Sequence, residues 1–155
     1  MSTRTTLVAI ALLLLGIAVV SPHGSSSRGA YPADIVRSPG VLNPDVTQTN
    51  IDSTICLHGW TKTIRPPTSY TNALKKKQMR EYGVGGSLSD YQEDHLISIE
   101  LGGHPTDPRN LWPEPYPRAS EVDSIENELN AQVCSGALAL ESAQLKESEL
   151  KHRDG

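Results

Sequence analysis

The residues of this chain whose types and spacing could do chemistry lie in QEDHLISIELGGHPTDPRNLWPEPY, from Gln92 to Tyr116. Glu93-Asp94-His95 sets two carboxylates beside an imidazole. A neutral imidazole, with an ordinary pKa of about 6.5, takes a proton from water at neutral pH. Asp94 offers a hard oxygen suited to Mg²⁺, Mn²⁺ or Ca²⁺. A divalent cation there would polarise a phosphate and stabilise its leaving oxygen. Asn110 ends the loop that follows, where its amide can hold loop backbone groups and so fix the histidine. In a regular strand Asp94 and His95 point to opposite faces. They serve one site only if the strand begins or twists there.

Several elements must position these groups. Leu96, Ile97, Ile99 and Leu101 alternate after His95, Gly102-Gly103 follows, and Asn110-Leu111-Trp112 resumes an apolar run. The pattern predicts strand, glycine turn, strand, with Trp112 anchoring the loop and five prolines from Pro105 to Pro117 stiffening it. His104 falls in the turn. A helix is expected over 119–133, with Ser120 as its cap and Val122, Ile125, Leu129 and Val133 as its apolar stripe. Its polar candidates are Asp123, Glu126, Asn127 and Asn130; Asp123, Asn127 and Asn130 share one face. Upstream, 55–64 reads as a short strand stopped by Pro66-Pro67, with His58 at the surface and Trp60 in the core. A helix over 70–82 follows, ended by Gly83, Gly85 and Gly86. A last helix covers 140–151, and its tail is expected to fray.

The order Asp94-His95, Gly102-Gly103, Asn110-Leu111 resembles the HNH (ββα-metal) endonuclease motif. The resemblance implies an α+β fold with a small ββα-metal core and flanking helices, hydrolysing phosphodiester bonds. It implies His95 and Asn110 as catalytic residues. It implies one divalent ion, Mg²⁺ or Mn²⁺ first and Ca²⁺ or Zn²⁺ as alternatives, held by Asp94 with Asn130, and Asn127 next. A wider resemblance covers roughly 55–145. Cys56-x-x-Gly59-Trp60-Thr61, Arg65-Pro66-Pro67, Tyr70-Thr71, Leu74-Lys75, Gln78, Tyr82-Gly83 and Val133-Cys134-x-Gly136 are similar to a group of small exported bacterial proteins. That group implies a bacterial source and a Cys56–Cys134 pairing. The chain departs from these patterns at Ser98 (often Pro), Val122 (often Lys) and Asn130 (often His), and it has no paired zinc-knuckle cysteines.

Length and composition bound the rest. A chain of 155 residues is one domain at most. Leu7 to Val20 is an uncharged apolar run after Arg4; at ~1.5 Å per residue it spans roughly 21 Å, short of a bilayer core. It reads as a secretory signal, with an uncleaved anchor as the alternative. Residues 1–30 are thus signal or anchor and linker, 31–54 a disordered, flexible lead, 55–145 the domain and 146–155 a frayed tail. The destination is the periplasm or the outside, where an even count of two cysteines favours a disulfide. No membrane domain remains after signal removal, and the expected state is monomeric. The net charge of −4 argues against a general nucleic-acid coat. Residues 56–118 carry eight basic against seven acidic side chains, and 119–155 three against eight. The basic residues cluster before the hairpin, and Lys75, Lys76, Lys77 and Arg80 could contact the phosphates of a nucleic-acid substrate; a solvated helix face is the plain alternative. The competing function is a catalytically inactive exported module binding a partner through the same fold.

Overall fold

The computed structural model describes residues 32–154, so the expectations for the signal and Tyr31 lie outside the described residues. In chain order the helices are α1 (Trp60–Ile64), α2 (Thr68–Tyr82), α3 (Arg118–Cys134) and α4 (Leu140–Asp154), and the strands are β1 (Tyr91–His95) and β2 (Leu111–Pro115). The fold is therefore α+β. β1 and β2 pair antiparallel, Asp94 opposite Trp112 and Gln92 opposite Glu114. The bonds that extend this ladder run from Leu96 N–H to Asn110 C=O and from Tyr116 N–H to Asp90 C=O. Hydrogen-bonded pairs therefore fall at 94/112 and 92/114, and Pro113 and Pro115 take the alternate positions, where no N–H is needed. That is how a strand accommodates two prolines.

α2, α3 and α4 lie where their patterns place them, within three residues at each end. α2 packs on one side of the hairpin, with Gln78 donating to the Pro108 and Leu111 carbonyls at 3.0 and 2.9 Å. α3 and α4 pack on the other side, around Val46, Ile55, Ile97, Leu101, Leu129, Val133, Leu140 and Ala143. Trp112 is fully buried with Leu96 and Ala33. Among the described residues no helix is long and apolar enough to cross a membrane.

Four expectations need correction. Residues 96–101 are not strand. Leu96, Ile97, Ile99 and Leu101 are all buried, so the stretch has no outer face. Its backbone is satisfied by side chains instead: Asn110 takes both polar groups of Ile97, and Glu147 accepts from Ser98 N–H at 2.9 Å. The chain closes on itself so tightly that a Cβ on Gly103 would lie 1.7 Å from the Ile97 carbonyl oxygen. Residues 55–64 are not strand either. Local turn bonds and Gly59, at φ 84°, lead into the single turn of α1. β1 and β2 are the whole of the sheet among the described residues, so a strand at 55–64 would have had no partner.

The lead is ordered from Pro32 onward. Ala33 N–H donates to the Lys151 carbonyl, Asn43 N–H to that of Gly102, and Ser38 is fully buried. The tail from 146 is the C-terminal half of α4, with Glu147 and Lys151 at 0 % exposure.

Cys56 and Cys134 form a disulfide, Cα–Cα 5.6 Å, between elements 78 residues apart. It ties the turn before α1 to the end of α3. Replacing both cysteines with serine is expected to lower the unfolding free energy by about 4 kcal/mol on the chain-entropy account. Denaturant unfolding measures this, and a loss under about 1 kcal/mol would contradict it.

Candidate functional site

The site is organised by the alternation of β1. Glu93 and His95 lie on one face with Pro113 and Leu111 opposite; Gln92 and Asp94 lie on the other with Glu114 and Trp112. Asp94 and Glu114 are diagonal neighbours on one face, close enough for long side chains to meet. At the C-terminal end of β1 the chain leaves the ladder, and Asp94 and His95 both reach a cavity of about 320 Å³. Its walls also include Arg65, Glu100, Asp123, Glu126 and Asn127. A second cavity of about 200 Å³, reached by Glu93, Thr68 and Thr71, shares Arg65, Asp94 and His95 with the first. His95 thus stands between two polar recesses.

His95 is buried, and its Nε2 lies 3.0 Å from the Pro105 carbonyl oxygen. A carbonyl only accepts, so Nε2 carries the proton and the neutral ring keeps its lone pair on Nδ1. Burial lowers the imidazole pKa below its ordinary value, and Lys151 and Arg65 add to this against Pro105 and Asp94. The loop that carries Pro105 is held by Asn110, which is fully buried. Its amide donates to the Ile97 and His104 carbonyls at 2.9 and 3.0 Å, and its oxygen accepts from Ile97 N–H at 3.0 Å. His104 holds the same turn by accepting from Thr106 and Asp107 N–H through Nδ1.

Behind Asp94 lies a group of buried carboxyls around one ammonium. Lys151 Nζ is 2.7 Å from Asp94 Oδ2, 2.6 Å from Glu126 Oε1 and 2.5 Å from the His95 carbonyl oxygen. Glu147 Oε1 is 3.5 Å away. Burial works against ionisation of Asp94, but Lys151 and a hydrogen bond from Glu114 outweigh it and hold the carboxyl well below its usual range. Glu114 goes the other way. Burial, then the Asp94 hydrogen bond and charge, push it up to about 9. As a carboxylate its oxygens have no donor within reach; as the acid it donates to Asp94. Glu147 is likewise raised by burial, and Glu126 less so. On the other face of β1, burial pushes Glu93 up to about 8 against the pull of Lys75.

Asp94 and His95 therefore meet at one cavity, and Asn127 lines it with them. Asn130 does not. It lies a turn further along α3, with its amide 2.7 Å from the Glu100 carbonyl oxygen and 3.5 Å from that of Ile55. The constellation of His95, Asn110 and Asn130 is therefore not assembled around one point. Asn127, the second choice, donates its amide to the Asp123 carbonyl at 2.6 Å, which leaves its oxygen for the cavity. Among the described residues no three His, Cys, Asp or Glu side chains stand arranged as metal ligands.

The basic cluster also divides. Lys75 is buried and donates to the Tyr91 carbonyl, and Lys77 pairs with Glu81 at 2.8 Å. Lys76 and Arg80 remain exposed. Arg65, outside these four, is the basic residue at the cavity. Glu147 and Lys151 sit in an ordinary polar context and carried no sequence signal of a role; Glu114, between Pro113 and Pro115, was not singled out. Glu126 stood among the helix candidates and is the buried one.

No protein-family model matches the chain, and no curated protein or solved structure is significantly similar to it.

Two outcomes follow from this geometry. Asn110→Ala removes three hydrogen bonds, two of them buried and one partly so, and is expected to cost about 3 kcal/mol of stability at ~1 kcal/mol each; an unfolding free energy unchanged within error would contradict it. The raised acids bind protons in the folded chain, Glu93 and Glu114 to about 8 and 9, at pH values where the unfolded chain has lost them. Unfolding then releases protons, so stability falls as pH rises between about 5 and 9. Denaturation midpoints should be lower at pH 9 than at pH 6, with a shallower slope in Glu114→Gln; a midpoint that rises over this range contradicts it.

Proposed function

We propose that the chain is an exported, metal-dependent, HNH-like nuclease that hydrolyses phosphodiester bonds. One observation carries this reading: a neutral His95, held through Nε2 by the Pro105 carbonyl, faces a polar cavity with Asp94 at the end of a hairpin that runs directly into α3. In this reading Nδ1 of His95 takes a proton from the attacking water. Asn110 fixes the loop that orients the ring, and Arg65 at the cavity meets the scissile phosphate. Hard oxygen donors for a divalent ion come from Asp94, Asp123, Glu126 and Asn127 among the lining residues, which also include Arg65, Gln92, Ser98, Ile99 and Glu100. Bound there, Mg²⁺ or Mn²⁺ would supply charge stabilisation for the phosphate and the leaving oxygen. Asp94 with Asn127 replaces Asp94 with Asn130 as the pair that would hold it. The disulfide favours an oxidising compartment and so supports export.

A second reading, an exported binding module without catalysis, is favoured by one feature. The Lys151 ammonium already lies between Asp94 and Glu126, where a cation site would otherwise draw on both.

Purified protein should nick plasmid with Mg²⁺ or Mn²⁺ and lose this with EDTA. His95→Ala should slow cleavage by at least about 100-fold, the ordinary contribution of a general base. Cleavage by His95→Ala at the wild-type rate would contradict the assignment. A folded wild-type protein that takes up neither ion near neutral pH and cleaves neither DNA nor RNA would select the binding module.

A further inference from the structure

The last turn of α4 places Lys151 directly behind Asp94 and His95, which line the cavity. Three acceptors surround its Nζ at 2.5 to 2.7 Å: the His95 carbonyl, Glu126 Oε1 and Asp94 Oδ2. An ammonium has three N–H donors, so all are used and the group cannot turn. Its backbone carbonyl accepts from Ala33 N–H, which closes the N-terminal segment over the same helix turn. At 0 % exposure the side chain cannot touch a substrate. It is nevertheless bonded to both residues of the Asp94-His95 pair, one through its carboxylate and the other through its backbone.

We propose that Lys151 is a positioning residue of the site, a fixed internal cation that braces Asp94 and His95 from behind and takes one oxygen each of Asp94 and Glu126. A divalent ion entering the cavity is left with the outward oxygens, and it is repelled by a like charge already in place. The inference rests on the reading that this cavity takes a divalent cation. It predicts that the lysine helps the chemistry while weakening the hold on the ion. A lysine that merely stabilises the fold would do the reverse, since loosening the site would loosen the ion.

The test measures Mn²⁺ binding by calorimetry at pH 7 on the disulfide-bonded protein. Wild type is compared with Lys151→Met and with Lys151→Met/Glu147→Gln, which removes a neighbouring acid together with the cation. Removing a like charge a few ångströms from the ion is expected to tighten Mn²⁺ binding by about tenfold or more. Unchanged or weaker binding in either variant, shown folded by its cooperative unfolding, overturns the proposal. A third arm needs no variant. The Lys151 Nζ ammonium signal in ¹⁵N NMR should shift on Mg²⁺ addition and persist at saturation. A signal that stays put, or a wild-type protein that takes up neither ion, overturns the proposal even if both variants fail to fold. None of these readouts is cleavage, so a protein that behaves as expected here and leaves plasmid intact would sink the nuclease reading alone.

Discussion

The structure depends on a charge buried where water cannot reach it. Moving an ammonium out of water carries a desolvation penalty of several kcal/mol, and so does each ionised carboxylate that faces it. The penalty is offset only where geometry is good and every donor is used, and Lys151 meets both conditions. Four carboxyls crowd one ammonium, so they cannot all ionise. Asp94 keeps its charge, while burial beside it raises Glu114 and Glu147, and Glu114 donates to Asp94. β1, β2, α3 and α4 each contribute a member, so the elements that build the site are registered against one another by a single set of polar contacts. Apolar burial could hold the same elements together but would tolerate small slides between them; hydrogen bonds at these distances do not.

Asn110 is the second fixed point. It does for 97–104 what a neighbouring strand would do, satisfying buried N–H and C=O groups that have no water. The turn it closes carries the Pro105 carbonyl, and that carbonyl decides which nitrogen of His95 is protonated. A side chain with no contact to the cavity thereby sets the tautomer of one that faces it.

Much of this was legible in the residues. α2 and α3 were legible because apolar positions recur at helical spacing and Gly or Pro stands at their ends; the extent of α4 was legible, but not its inner face, which is Leu140, Ala143, Glu147 and Lys151. The Asp94-His95 and Asn110 positions came together because the chain between them is short and must return. The cysteine pairing held because two cysteines in one small domain leave one option. What failed shares a cause. Leu96 to Leu101 alternates like a strand, but its partners are side chains from 110 and 147, which periodicity cannot reveal. Residues 55–64 have strand-like composition but no strand to join. Asn127 and Asn130 share a helix face by spacing, yet the cavity ends within one turn, and only the docking of α3 decides which of them it includes. Lys151 looked like part of a solvated, fraying tail because burial of a lysine depends wholly on distant acids.

The same logic limits the basic cluster. Lys75 and Lys77 are committed to the Tyr91 carbonyl and to Glu81, so the positive charge available at the cavity comes from Arg65, one element earlier. In the proposed function, chemistry would lie at the end of β1, with cation and phosphate entering from the Arg65 side and Lys151 behind. Anomalous diffraction from crystals soaked in Mn²⁺ tests this most directly. It should give one peak in the cavity, in contact with Asp94 and Asn127, with Lys151 Nζ still bonded to the His95 carbonyl. A peak beside Asn130, or one that has displaced the lysine, would contradict it.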